Sequence, residues 1–182
     1  FIPQSIFIGL GGTFAPWVGA LVKDIHQPIL LVVPDEMQKE TIIRLSRVGF
    51  DNVLGYLQGG FESWEASGKE VDTLQSVSAE VLAQQLDKDA LVFDVRKPGE
   101  YAAEHIENVT STPLDFLNDH LTEFPTNKDF YVHCAGGYRS VIAASILKAR
   151  GFRKVIDVAG GYGAIKETGI KRTQATACSN SK

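Results

Sequence analysis

A chain of 182 residues has room for one large domain or two small ones. Its content, 44% hydrophobic and 22% charged, is that of an ordinary globular protein, and a net charge of −4 leaves no broad basic surface for nucleic acid. No apolar run reaches the length of a membrane span, and Phe1-Ile2-Pro3-Gln4-Ser5 has neither the basic flank nor the layout of a signal peptide.

In chain order, the apolar patterning predicts strands over residues 5–8, 29–33 and 53–56, alternating with helices over 14–23, 37–48 and 61–66. A second series follows. Ser78 is a natural N-cap for a helix running to Leu86. A buried strand covers residues 90–94, a helical stub 98–103, a short strand 110–113 and a helix 115–121. Then come a strand into Cys134, a helix over 139–150, a strand over 154–158 and a last helix from Tyr162. Short apolar strands alternating with helices give an α/β fold, a mainly parallel sheet with helices on both faces. The expected divisions are 1–70, a linker 71–77, a complete domain 78–170 and a polar tail 171–182.

The two series repeat each other at an offset of roughly one hundred residues. Gly49-Phe50-Asp51-Asn52-Val53 and Gly59-Gly60-Phe61 answer to Gly151-Phe152-Arg153-Lys154-Val155 and Gly160-Gly161-Tyr162. The second copy is complete. The first lacks the opening helix and first buried strand, because Phe1 stands where His105 stands in the second. A half-sheet of this kind exposes apolar surface and an unpaired edge, which upstream residues or a partner would cover. The two glycine pairs read as tight turns between strand and helix rather than as a phosphate-cradling loop.

Chemistry concentrates in Cys134-Ala135-Gly136-Gly137-Tyr138-Arg139-Ser140. A cysteine at a strand-to-helix turn, followed by two glycines and an arginine, is a setting for a thiolate nucleophile. Inward-turned amides from Ala135 to Arg139, the positive end of the next helix and the Arg139 charge each favour the anionic sulfur. Ser140 would cap the helix, and Tyr138 would stand at the rim. The bland alternative is a structural core cysteine, which would need neither the glycines nor the arginine. Asp94 would either accept bonds from the catalytic loop or pair with Arg96 to fix a turn. His133 precedes the nucleophile, but strand alternation aims it elsewhere. Cys178, in the tail, is a bystander thiol or the partner of an internal disulfide. With only two cysteines there is no disulfide framework, so a reducing, cytoplasmic setting is expected. The histidines show no ligand spacing, so no cofactor or metal is expected within this chain.

Asp94-Val95-Arg96, Glu100-Tyr101, His105-Ile106-Glu107-Asn108-Val109, the Cys134 loop and Gly160-Gly161-Tyr162 together resemble the rhodanese family over residues 76–170. One departure is Glu104, where the family usually has glycine before the histidine; its backbone is a candidate for strain. The first copy resembles a degenerate rhodanese, with Pro34 where Cys134 falls and no thiol or arginine at the site, which leaves it a scaffold or docking role. The resemblance implies a sulfurtransferase that moves a sulfane sulfur through a Cys134 persulfide, with small sulfur donors and thiol acceptors as partners. Gly11-Gly12-Thr13-Phe14-Ala15-Pro16-Trp17 and residues 53–60 resemble the first rhodanese repeat of fusion proteins that open with a metallo-β-lactamase-like, persulfide dioxygenase-type domain. That likeness implies such an upstream domain, carrying iron or zinc, before Phe1. Two alternatives stand beside it. One is a non-catalytic binding module. The other is a cysteine phosphatase, against which the spacing Cys-x4-Arg argues, since the phosphatases use Cys-x5-Arg.

Overall fold

Two units divide the chain, Phe1–Thr73 and Leu74–Lys182. The computed structural model describes residues 1–86 and 88–174.

The first unit runs α1 (Phe14–Leu21), β1 (Ile29–Leu31), α2 (Gln38–Ser46), β2 (Val53–Tyr56) and α3 (Gly60–Ala66). β1 and β2 pair in parallel as a two-stranded sheet. Phe14 and Val18 of α1 and Leu45 of α2 pack with Leu31 and Phe50 into a core on one side. The opposite side is bare: Leu30, Leu54 and Tyr56 are 75%, 65% and 51% exposed. The strand expected over residues 5–8 is irregular backbone instead. A strand needs a ladder neighbour to take up its amides and carbonyls, and no strand of this unit pairs with that segment. The unit is tied at its ends by Phe1 and Asp72, each of whose backbone nitrogens donates to the other's carbonyl, at 2.8 and 2.9 Å.

The second unit is built on a five-stranded parallel sheet. Its strands are β3 (Gln75–Val77), β4 (Leu91–Asp94), β6 (Thr110–Ser111), β7 (Phe130–His133) and β8 (Val155–Val158), in the order β3-β8-β7-β4-β6. The helices are α4 (Ala79–Leu86), α5 (Pro98–Ala103), α6 (Tyr138–Ala149) and α7 (Gly161–Lys166). Ser78 caps α4 as expected, its hydroxyl accepting the Val81 amide at 3.4 Å. β7 and β8 are buried at every position, the mark of strands covered on both faces. On one face Ala79 and Leu82 of α4 pack on Val92, Tyr131, Ile156 and Val158, with Tyr162 and Ile165 of α7. On the other, the rings of Phe93, Phe124 and Phe130 cluster, with centroids 4.4 and 5.6 Å from Phe93. The side of the first unit's sheet left bare matches, by sequence position, the side of β7 and β8 that α4 covers here.

Two segments read as connectors are strands. Residues 75–77, within the expected linker 71–77, form the edge strand β3. Residues 172–174, within the expected tail 171–182, form β9, antiparallel to β5 (Glu104–Ile106). Both are mostly polar and pair through their backbones, so hydrophobic periodicity does not mark them. The helix expected over 115–121 is instead two 3₁₀ turns, Leu114–Asp119 and Leu121–Glu123. The break between the two turns falls at His120, which ends the first and opens the second. Among the described residues no helix is long and apolar enough to cross a membrane.

Candidate active site

β7 delivers Cys134 to the C-terminal edge of the sheet, where the chain turns into α6. The turn depends on Gly137, the N-cap of α6, whose φ of 103° lies in the region that favours glycine. From this position the Gly137 amide donates to Cys134 Sγ at 3.1 Å. The sulfur therefore stands at the positive end of a twelve-residue helix. Cys134 is only 1% exposed, so the loop closes over the thiol, while Ala135 and Gly136 face solvent and Tyr138 is half-buried beside them.

The glycine turn before α7 fixes the loop from behind. The Tyr162 amide donates to the Cys134 carbonyl at 2.6 Å, and the Gly163 amide to the Ala135 carbonyl at 2.9 Å. These are first-turn amides of α7, which have no partner within their own helix. By holding two loop carbonyls toward α7, they leave the loop free to present amide hydrogens to the sulfur. Gly161 makes the approach possible: a Cβ built there would stand 2.4 Å from the Cys134 oxygen. The same turn exists in the first unit, where a Cβ on Gly60 would meet the Val33 oxygen at 3.1 Å. Val33, rather than the expected Pro34, thus takes the place of Cys134 there.

Arg139 does not stand as a free cation. Its guanidinium donates two parallel bonds to the Glu100 carboxylate, at 2.6 and 2.8 Å. Glu100 is itself set by α5, where it accepts the Lys97 amide at 3.1 Å in a capping box. Arg139 holds the Glu100 carboxyl down from 4.5 to about 2, against the opposing effect of burial. The folded value lies below the unfolded one, so the pair stabilises the fold fully above pH 4.5 and loses that contribution as pH falls toward about 2. The pair is partly exposed, so its worth is about 1 kcal/mol or less. Thermal melts of wild type and Glu100→Gln should therefore differ near neutrality and converge in that acid window. A difference independent of pH would contradict the assignment.

Beneath the loop lies a buried polar group. Arg96 Nε donates to both Asp94 carboxylate oxygens, at 3.0 and 2.9 Å, and Arg96 Nη2 donates to Asp94 Oδ2 at 2.7 Å. The Arg96 amide also binds Asp94 Oδ1, at 2.9 Å, and Nη2 reaches the Glu104 carbonyl at 2.7 Å. The guanidinium stacks over Tyr162, 3.8 Å from the ring centre. Asp94 and Arg96 are 0% and 4% exposed, so this is the turn-fixing pair of the two readings above, with Asp94 turned to Arg96. The His133 ring packs near Tyr162, at 6.0 Å between centroids, with Nε2 3.8 Å from Asp94 Oδ2. Burial pushes the His133 pKa down, which keeps the imidazole neutral. Burial and the Glu104 carboxylate push the Tyr162 phenol up to about 12.

Ser140 needs correction. It is not the helix cap: Gly137 is, and the buried Ser140 hydroxyl donates back to the Gly137 carbonyl at 3.1 Å. Glu104 is unstrained, with φ −163° and ψ 135°, an extended backbone open to any residue. Its carboxylate meets Lys166 at 2.8 Å and Arg172 at 3.5 Å. His105 stacks on Tyr101 at 3.9 Å and bonds the Thr173 hydroxyl at 2.7 Å, which makes it a joint between β5 and β9. Cys178 lies outside the described residues. Among the described residues no cluster of His, Cys, Asp and Glu could hold a metal ion.

The domain is thus an α/β fold with a thiol set at a strand end, bonded by a loop amide and backed by a glycine turn. Residues 78–168, half of the chain, match the rhodanese-like domain, and the chain belongs to that family. A protein of Bacillus subtilis (strain 168) named as a sulfur carrier, YrkF, is 34% identical over 99 residues, covering 53% of this chain and 54% of its own length. A protein of Allochromatium vinosum named sulfurtransferase is 29% identical over 90 residues, covering 48% of this chain and 84% of its own. A rhodanese-like domain protein of Staphylococcus aureus shares the fold with a TM-score of 0.50 and 31% identity, over 54% of this chain and 97% of that one. The chain thus spans about half the length of the first of these relatives.

Proposed function

We propose that the second unit is a sulfurtransferase or sulfur-relay domain working through a persulfide on Cys134. The observation that carries this is the Gly137 amide at 3.1 Å from Sγ, in a loop whose carbonyls are tied toward α7. The thiolate attacks the sulfane sulfur of a donor. With thiosulfate, the new S–S bond forms at Cys134 as the donor's S–S bond breaks, and sulfite leaves with the electron pair. With a persulfide R–S–SH, the thiolate R–S⁻ leaves. An acceptor thiol or cyanide then removes the outer sulfur and regenerates the Cys134 thiolate. Loop amides of residues 135–139 stabilise the anion at both stages, since neither stage requires a net change of charge on the loop. Tyr138 shapes donor access, and Asp94 with Arg96 supports the turn beneath.

The same reading makes the first unit a degenerate copy with a scaffolding role, since Val33 supplies no thiol where Cys134 stands. It makes an upstream stretch of the same polypeptide the cover for Leu30, Leu54 and Tyr56. A metallo-β-lactamase-like persulfide dioxygenase domain, with its iron or zinc, is the proposed neighbour in a cytoplasmic protein. Incubation with thiosulfate or glutathione persulfide, followed by intact and peptide mass spectrometry, tests the transfer. One added sulfur on Cys134 is the expected result. No gain with any donor would leave the rival reading, a rhodanese-type module that only positions other domains.

A further inference from the structure

We infer that Glu100 selects sulfur donors by charge: it occupies Arg139, disfavours dianionic donors such as thiosulfate, and leaves the site to persulfides of lower net negative charge. The inference rests on the transfer reading of Cys134.

Arg139 is the second residue of α6, two residues past Gly137, whose amide bonds the sulfur. Its two outer nitrogens are already used by the Glu100 carboxylate, at 2.6 and 2.8 Å. Glu100 is the outer partner, with its side chain 36% exposed against 15% for Arg139. An anion arriving from solvent therefore meets a carboxylate before it meets the guanidinium. Nor can Glu100 swing aside freely, because Oε2 also holds the Lys97 amide at 3.1 Å. The other arginine beneath the loop, Arg96, is likewise matched, by buried Asp94. Dipolar groups, the Gly137 amide and the α6 terminus, thus face the sulfur alongside paired ions. Such groups can hold the single negative charge of a thiolate or persulfide. To bind thiosulfate through Arg139, the donor must displace a bidentate carboxylate of like sign to itself.

The two donors differ in the group expelled. Thiosulfate releases sulfite, which carries two charges past Glu100. Cysteamine persulfide releases cysteamine thiolate, whose ammonium group suits a carboxylate rim. The test measures kcat/KM for Cys134 loading with each donor, in wild type, Glu100→Gln and Glu100→Asp. Glu100→Gln should raise the ratio of thiosulfate to cysteamine persulfide about tenfold, mainly through a lower KM for thiosulfate. Glu100→Asp keeps the charge and should restore the wild-type ratio. A purely structural role would move both donors together and leave the ratio within about twofold of wild type, which would overturn the inference. Failure of wild type to load from either donor would be a different result, and would remove the transfer reading itself.

Discussion

On the proposed function, Cys134→Ser should end sulfur transfer, with thiocyanate production from a sulfane donor and cyanide falling by about 10⁴-fold or more. Serine fits the space and keeps a polar atom for the Gly137 amide, now 3.1 Å from Sγ. What it lacks is chemistry. A hydroxyl at neutral pH is a poor nucleophile toward sulfur, and it offers no persulfide as a resting form. The fold should persist, since α4, β4 and the aromatic cluster around Phe93 are untouched. Near-ultraviolet circular dichroism should therefore match wild type while turnover vanishes. Residual turnover within tenfold of wild type would move the nucleophile elsewhere.

Gly161→Ala should reduce the same rate by about 10²–10³-fold, although residue 161 offers no side chain to any substrate. Its added Cβ would come 2.4 Å from the Cys134 oxygen, 2.9 Å from the Ala135 carbonyl carbon and 3.0 Å from that of Cys134. All three are backbone atoms and cannot turn aside as a flexible side chain would. The φ of 54° adds strain for any residue with a Cβ. Relief requires the loop to move off α7, which lengthens the Tyr162 and Gly163 amide bonds and withdraws the Gly137 amide from the sulfur. Stability should fall by about 1–3 kcal/mol in urea unfolding. Gly163→Ala is the control, because its Cβ would meet the Ala135 oxygen at 3.5 Å, an ordinary contact, and should cost far less. Equal losses at the two positions would refute the clamping role of Gly161.

Local features of the site were legible in the sequence, and distant pairings were not. The Cys134 loop is read from seven consecutive letters, and the direction of His133 from strand alternation. Arg139 could be named but its partner could not, because Glu100 is 39 residues away and no short spacing links them. A carboxylate at the third position of a short helix signals a cap, which Glu100 also is, and that local role hides the second one. Gly160 and Gly161 were legible as a turn; that the turn backs the Cys134 loop emerges only when β7 and β8 lie side by side. β3 and β9 leave no mark in the sequence because residues such as Gln75, Ser76, Arg172 and Thr173 carry no apolar alternation. The buried α/β core was plain for the opposite reason, since β7 and β8 are apolar almost throughout.

The glycine that sits on a strand-end carbonyl occurs in both units, over Cys134 in one and over Val33 in the other. Its persistence beside a residue that can perform no redox or transfer step marks it as part of the architecture. Paired glycines alone therefore do not distinguish a unit with a thiol at the strand end from one without. The discriminating letters lie on the opposite side of that contact, in the thiol and the short stretch that follows it.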